Sequence, residues 1–106
     1  MTNSFYFDPD GSGLTVFLGP TEARVMELVW KHRTLTVKKA MYHLGGSERQ
    51  AYTTIMTVMV RLAEKGILTR RKEGRSFVYE PAIDREPFVR SRVKAVSDCL
   101  KRNFHP

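Results

Sequence analysis

Cysteine is almost missing: Cys99 is the only one in 106 residues. A lone thiol excludes an internal disulfide framework and any multi-cysteine zinc or copper cluster, and it fits a reducing, cytoplasmic setting. No apolar run approaches the roughly 18 residues of a membrane span, and the N-terminus lacks the basic-then-apolar pattern of an export signal. Neither a membrane nor a secretory route is therefore expected. A glycine-rich phosphate loop is absent as well; Gly45-Gly46 stands where a helix should stop. The histidines His32, His43 and His105 show no metal-ligand spacing, and Cys99 has no nearby sequence partner. These gaps argue against an enzyme. No metal, no cofactor and no identifiable small-molecule ligand are expected.

Acidic residues are the scarcer charge. Eleven Asp and Glu face 18 Lys and Arg, for a net charge of +7 and a sequence pI near 9.9. Such a balance points to a polyanionic partner, either nucleic acid or an anionic membrane surface. The charge is uneven: residues 1–27 carry a net −3 and residues 28–106 a net +10. The cations thus belong to the folded body rather than to a basic arm, and fixed cations can match a spacing of phosphates. A hydrophobic fraction of 42% supports one core, and the length leaves no room for a second.

Residues 1–18 hold two short apolar runs, Phe5 to Phe7 and Leu14 to Leu18, around the turn-forming Asp8-Pro9-Asp10-Gly11-Ser12-Gly13. They read as an N-terminal arm or a β-hairpin, packed on its own domain or on a partner subunit. A first helix opens at Gly19-Pro20, with proline in the position that suits it, and buries Val25, Met26, Val29 and Trp30. Thr36 is the expected N-cap of a second helix over about 37–44, with Ala40, Met41 and Leu44 inward and Lys38 and Lys39 outward. A third helix runs from about 48 to 65 and turns Ile55, Val58, Met59 and Leu62 to the core.

The other face of that third helix carries Tyr52, Thr53, Thr54, Met56 and Thr57. Threonine is a poor helix former, and solvated faces ordinarily carry Glu, Lys and Arg, so helix stability does not account for three threonines. Hydroxyls and methyls together suit a surface that is both polar and methylated, as the DNA major groove is. After Gly66 the period becomes two. Residues 67–71 and 76–79 read as a hairpin with Arg70, Arg71, Lys72 and Arg75 at or near its tip. From about Asp84 to Asn103 helical spacing returns. Val89, Val93, Val96 and Leu100, extended by Phe88 and Phe104, read as a narrow apolar seam for the same helix of a second chain.

Three short helices and a basic hairpin make a mainly α winged helix-turn-helix with a small β-hairpin wing, over residues 19–81, and residues 82–106 add a C-terminal dimerisation helix. The third helix would enter the major groove of double-stranded DNA, with Tyr52, Thr53, Thr54, Met56 and Thr57 reading bases. Thr36, Lys38, Lys39, Arg61, Arg70, Arg71, Lys72 and Arg75 would meet the backbone. The rival readings are a winged-helix module that binds protein and a non-specific nucleic-acid binder. Glu64 and Glu73 are the only acids between Ala51 and Val78, which speaks against the first rival.

LGPTEARVMELVW, LTVKKAMYHLG and AYTTIMTVMVRLAEKGILTRRKEGRSFVYEP, in that order, resemble the BlaI/MecI penicillinase-repressor family of bacterial transcriptional regulators over about residues 18–81. The resemblance implies a homodimeric repressor that binds an operator with dyad symmetry. By position, Thr53, Thr54, Met56 and Thr57 fall on the family's base-contacting stretch, and Arg61 and the wing cations on its phosphate-contacting positions. Met56 departs from a basic side chain that can stand there in the family; it suits a thymine methyl and cannot hydrogen-bond guanine. In several members a membrane-bound sensor protease cleaves the C-terminal region to lift repression.

Overall fold

The structure, a computed structural model, describes residues 6–45 and 48–104. Helix α1 spans Pro20–His32, α2 Val37–Leu44, α3 Glu48–Glu64 and α4 Arg85–Phe104; strands β1 and β2 are Leu68–Glu73 and Ser76–Pro81. Each boundary has a local cause. Proline occupies the first position of α1, and the Gly19 N–H before it donates to Glu22 Oε1 at 3.2 Å. The Thr36 hydroxyl accepts the Lys39 N–H at 3.1 Å and so caps α2 as expected, while Gly45, at φ 68°, ends it. α1 instead closes on Arg33 in the left-handed region, at φ 71°, where its guanidinium reaches Asp84 at 2.9 Å.

Val25, Met26 and Val29 of α1, Ala40 of α2 and Ile55, Met59 and Leu62 of α3 meet in one core, as their spacing predicts. Met41, Leu44 and Val58 pack half-buried against it. Leu35, in the short link between α1 and α2, is also buried there, and the link does more than connect. The Leu35 N–H donates to the Tyr79 carbonyl at 2.9 Å and the Tyr79 N–H donates back at 2.8 Å. That bridge lies on the side of β2 away from β1. It fixes the hairpin to the helical body and leaves β1 as the free edge.

The hairpin pairs Leu68 with Pro81 through to Glu73 with Ser76. Gly74 and Arg75 form its two-residue turn. Gly74 sits at φ 62°, a positive angle that the first turn residue of a II′ hairpin needs and glycine adopts without strain.

Two expectations require correction. No strand forms among the described residues 6–18; Gly13–Val16 is a 3-10 helix. Leu14, Phe17 and Leu18 are buried in the domain's own core, and their spacing of three and one is helical rather than alternating. Thr15 and Ser12 also close a local loop: the Ser12 N–H donates to Thr15 Oγ1 at 2.8 Å and the Thr15 hydroxyl to the Ser12 carbonyl at 2.7 Å. Such bonds compete with strand ladders. Phe5, the start of the first apolar run, lies outside the described residues.

The second correction concerns α4. Phe88 does not extend an intermolecular seam. It is 2% exposed and packs on Trp30, ring centroids 5.8 Å apart. Five residues separate it from Val93, which turns it about 140° away around the helix. Val89 and Val96 lean against the same core, half-buried. Val93, Leu100 and Phe104 remain outside, 53%, 52% and 77% exposed. Their offsets of seven and four keep them within about 40° of one another. The Trp30 indole N–H donates to the Ile83 carbonyl at 2.9 Å, so the entry to α4 is pinned to α1.

Candidate nucleic-acid interface

Helix α3 shows two flanks outside its core stripe. Tyr52, Met56 and Val60, four residues apart, line a groove whose opposite wall is the wing residues Arg70, Ser76, Phe77 and Tyr79. Thr53 and Thr54 are exposed beyond that flank, Thr57 is half-buried, and Arg61 is exposed one turn further along the helix. All five residues expected to read bases therefore lie off the core side of α3, with Tyr52 and Met56 nearest the wing.

Alternation along the hairpin sorts its cations. Arg70 and Lys72 stand opposite Tyr79 and Phe77, on the face toward α3. The Arg70 guanidinium lies 4.4 Å from the centroid of the Phe77 ring, and its Nη1 is 3.5 Å from the Tyr79 hydroxyl. Stacking on an aromatic face orients the planar guanidinium without neutralising it. Arg75, in the turn, lines the same groove. Arg71 points the other way, on the face of Glu73 and Glu80, and is ion-paired to both. Those carboxylates, Glu80 foremost, hold its pKa above the ordinary arginine value. The expectation that Arg71 is equivalent to the other wing cations is thus corrected by the two-residue period of the strand.

The start of α2 supplies the groove's third wall. Thr36, Val37 and Lys38 line it. The Thr36 hydroxyl spends an oxygen lone pair on the cap and keeps its O–H for donation outward. Lys39, one position on, faces a separate hollow with His32, Tyr42 and His43. The neighbouring lysines therefore line different hollows.

Sequence reasoning passed over Phe77 and Tyr79, which seat Arg70. The period-two pattern of the wing carried that signal, since residues 70, 77 and 79 fall on one face once the register is set. It also passed over Leu35, whose role depends on a partner 44 positions away.

Thr36, Lys38, Arg70, Arg75 and the Tyr52, Met56 and Val60 flank of α3 surround one open groove. Donors and cations ring it, apolar and methyl-bearing side chains lie between them, and no carboxylate is among its lining residues. That composition suits phosphate at the margins and base edges at the centre. Among the described residues, no group of three or more His, Cys, Asp or Glu is placed to hold a metal ion.

The sequence pattern of the family described as "Penicillinase repressor" matches residues 18–105. A penicillinase repressor of Bacillus licheniformis is 35% identical over 72 residues, 68% of this chain and 56% of the relative. The transcriptional regulator BlaI of Mycobacterium tuberculosis is 34% identical over 73 residues, 68% of this chain and 53% of that one. The chain thus spans about half the length of the curated relatives it matches. Among solved structures, the DNA-binding domain of the repressor BlaI superposes with a TM-score of 0.54 at 37% identity, covering 63% of this chain and 82% of that one. The monomeric form of Bacillus licheniformis BlaI in complex with the blaP half-operator gives 0.52, with the same identity and coverage. On these matches, and with the winged-helix geometry they share, the chain belongs to the penicillinase repressor family.

Proposed function

We propose that this protein is a cytoplasmic, sequence-specific double-stranded-DNA-binding repressor that acts as a homodimer on an operator with dyad symmetry. One observation carries the reading: the Tyr52–Met56 flank of α3 and the Arg70 side of the wing border a single groove that is lined by no acid, with the exposed Thr53 and Thr54 beside it on the same helix. The half-operator complex of a relative supports DNA as the ligand. In this reading α3 enters the major groove, and Thr53, Thr54, Met56 and Thr57 select bases. A good base contact supplies about 1–3 kcal/mol of discrimination. Lys38, Arg70, Lys72 and Arg75 hold phosphates, with Thr36 donating from the cap of α2. Two half-sites bound together multiply the selectivity that one helix supplies. The exposed stripe of Val93, Leu100 and Phe104 joins the two copies. Repression is then steric, because the dimer covers DNA that polymerase needs.

The reading is tested by selecting bound fragments from the source genome and measuring affinity for the enriched duplex over a salt series. Thr54→Ala is expected to erode the preference for that duplex over a random one by roughly 1–3 kcal/mol, with little change in random-duplex affinity. An unchanged preference would take base reading away from this part of α3. Arg70→Ala and Arg75→Ala are each expected to flatten the slope of log affinity against log salt by about 0.9 on any duplex. A shift in base preference with an unaltered slope would contradict their placement on phosphate. Salt-dependent binding with no enriched duplex would make the chain a non-specific nucleic-acid binder.

A further inference from the structure

The wing carries a cation that the groove does not use. Arg71 Nε and Nη2 meet Glu73 Oε2 at 3.1 and 2.9 Å, and Nη1 donates to Glu80 Oε2. All three guanidinium nitrogens are engaged. The two carboxylates come from different strands and converge on one face, Glu80 reaching diagonally across the ladder from its position opposite Thr69. One arginine between two acids leaves this face of the wing with a local charge of −1.

We infer that Glu73 and Glu80 form an anionic latch that withholds Arg71 from DNA and so limits the charge-driven part of the protein's affinity for duplex of any sequence. The inference rests on the DNA-binding reading above. Three features support it. β1 is the free edge of the hairpin, because the Leu35 bridge occupies the far side of β2, so a released Arg71 can swing over that edge to a phosphate beside the wing. All three partners are between 40% and 55% exposed, so the pairing is reversible, and its hold on Arg71 comes from two carboxylates engaging one guanidinium together rather than from one strong pair. Finally, attachment to random duplex is almost wholly electrostatic, so withholding one cation acts on it directly.

The test is a salt series with a fluorescently labelled random-sequence duplex, read by anisotropy, on the full chain. Glu73→Gln with Glu80→Gln replaces both carboxylates by neutral amides that hold Arg71 less tightly. This double variant is expected to steepen the salt slope by about 0.9, gaining roughly threefold more affinity than wild type between 200 and 50 mM salt. Adding Arg71→Met to make the triple variant is expected to return the slope to the wild-type value. A steeper slope that persists in the triple variant overturns the latch, since the carboxylates would then act by repelling DNA themselves. A triple-variant slope flatter than wild type overturns it too, because Arg71 would then already be on phosphate in the wild-type chain. Should the double variant melt early, Glu80→Gln alone, which removes the foremost partner of Arg71, is expected to steepen the slope, and a wild-type slope there counts against the latch. A wild-type chain that binds no duplex removes the DNA reading and the latch together, whereas failure of the variants alone removes only the latch.

Discussion

Val93→Asp combined with Leu100→Asp is expected to leave the protein monomeric and to lower its affinity for a two-half-site duplex by roughly 10²- to 10⁴-fold, the gain that linking two binding events supplies. The two side chains lie on one stripe of α4 with Phe104, each more than half exposed. A charge buried in an apolar seam without a partner is strongly unfavourable, so a pair of aspartates on each copy should abolish the contact. Neither residue packs in the domain's own core, so thermal stability of the monomer should change little. Sedimentation velocity reads the association state, and binding to a single half-site serves as the control and should hardly move. A variant that still sediments as a dimer would place the interface on another surface. Val96 is a poorer choice for this experiment, since it leans on the core and its replacement would mix association with folding.

Phe88→Ala should cost about 3–5 kcal/mol of folding stability, in the range of other buried aromatic truncations. The ring is among the most buried in the molecule and has Trp30 as its neighbour. The remaining ties at this junction are weak by comparison. Arg33 with Asp84 and Arg85 with Glu27 are half-exposed ion pairs, each contributing about 0–1 kcal/mol. The bond from the Trp30 indole to Ile83 depends on the same packing to stay dry. Urea unfolding of wild type and variant gives the difference directly. A loss below about 1 kcal/mol would mean that α4 is held to the domain by something other than this ring.

Much of this architecture was legible from local chemistry. Thr36 as a cap, proline at the start of α1 and glycine after α2 each act within a few residues, and the structure places all three as expected. The core stripe of α3 followed from its period. Other features needed contacts between distant positions. Leu35 in a link gives no sign that it will bridge to Tyr79. Phe88 looked like one end of an apolar seam because its residue type fitted, although its five-residue offset from Val93 already turned it aside. The same holds for Arg71. Counting it with its neighbours treated the wing as a cluster, whereas the two-residue alternation separates Arg70 and Lys72 from Arg71 and Glu73. Glu80 lies beyond the Ala51–Val78 stretch, and only the antiparallel register brings it to Arg71. At residues 14–18, hydrophobic content suggested a strand, while the burial of 14, 17 and 18 obeys helical spacing.

The placement of the single tryptophan has a practical outcome. Its indole is nearly enclosed, packed at a tilt against one aromatic and hydrogen-bonded to a carbonyl at the root of the final helix. Any event that peels that helix away would wet the indole and shift its emission to the red. The chain therefore carries an intrinsic optical gauge at the joint between its winged-helix body and its final helix, and detachment can be followed in real time without a label.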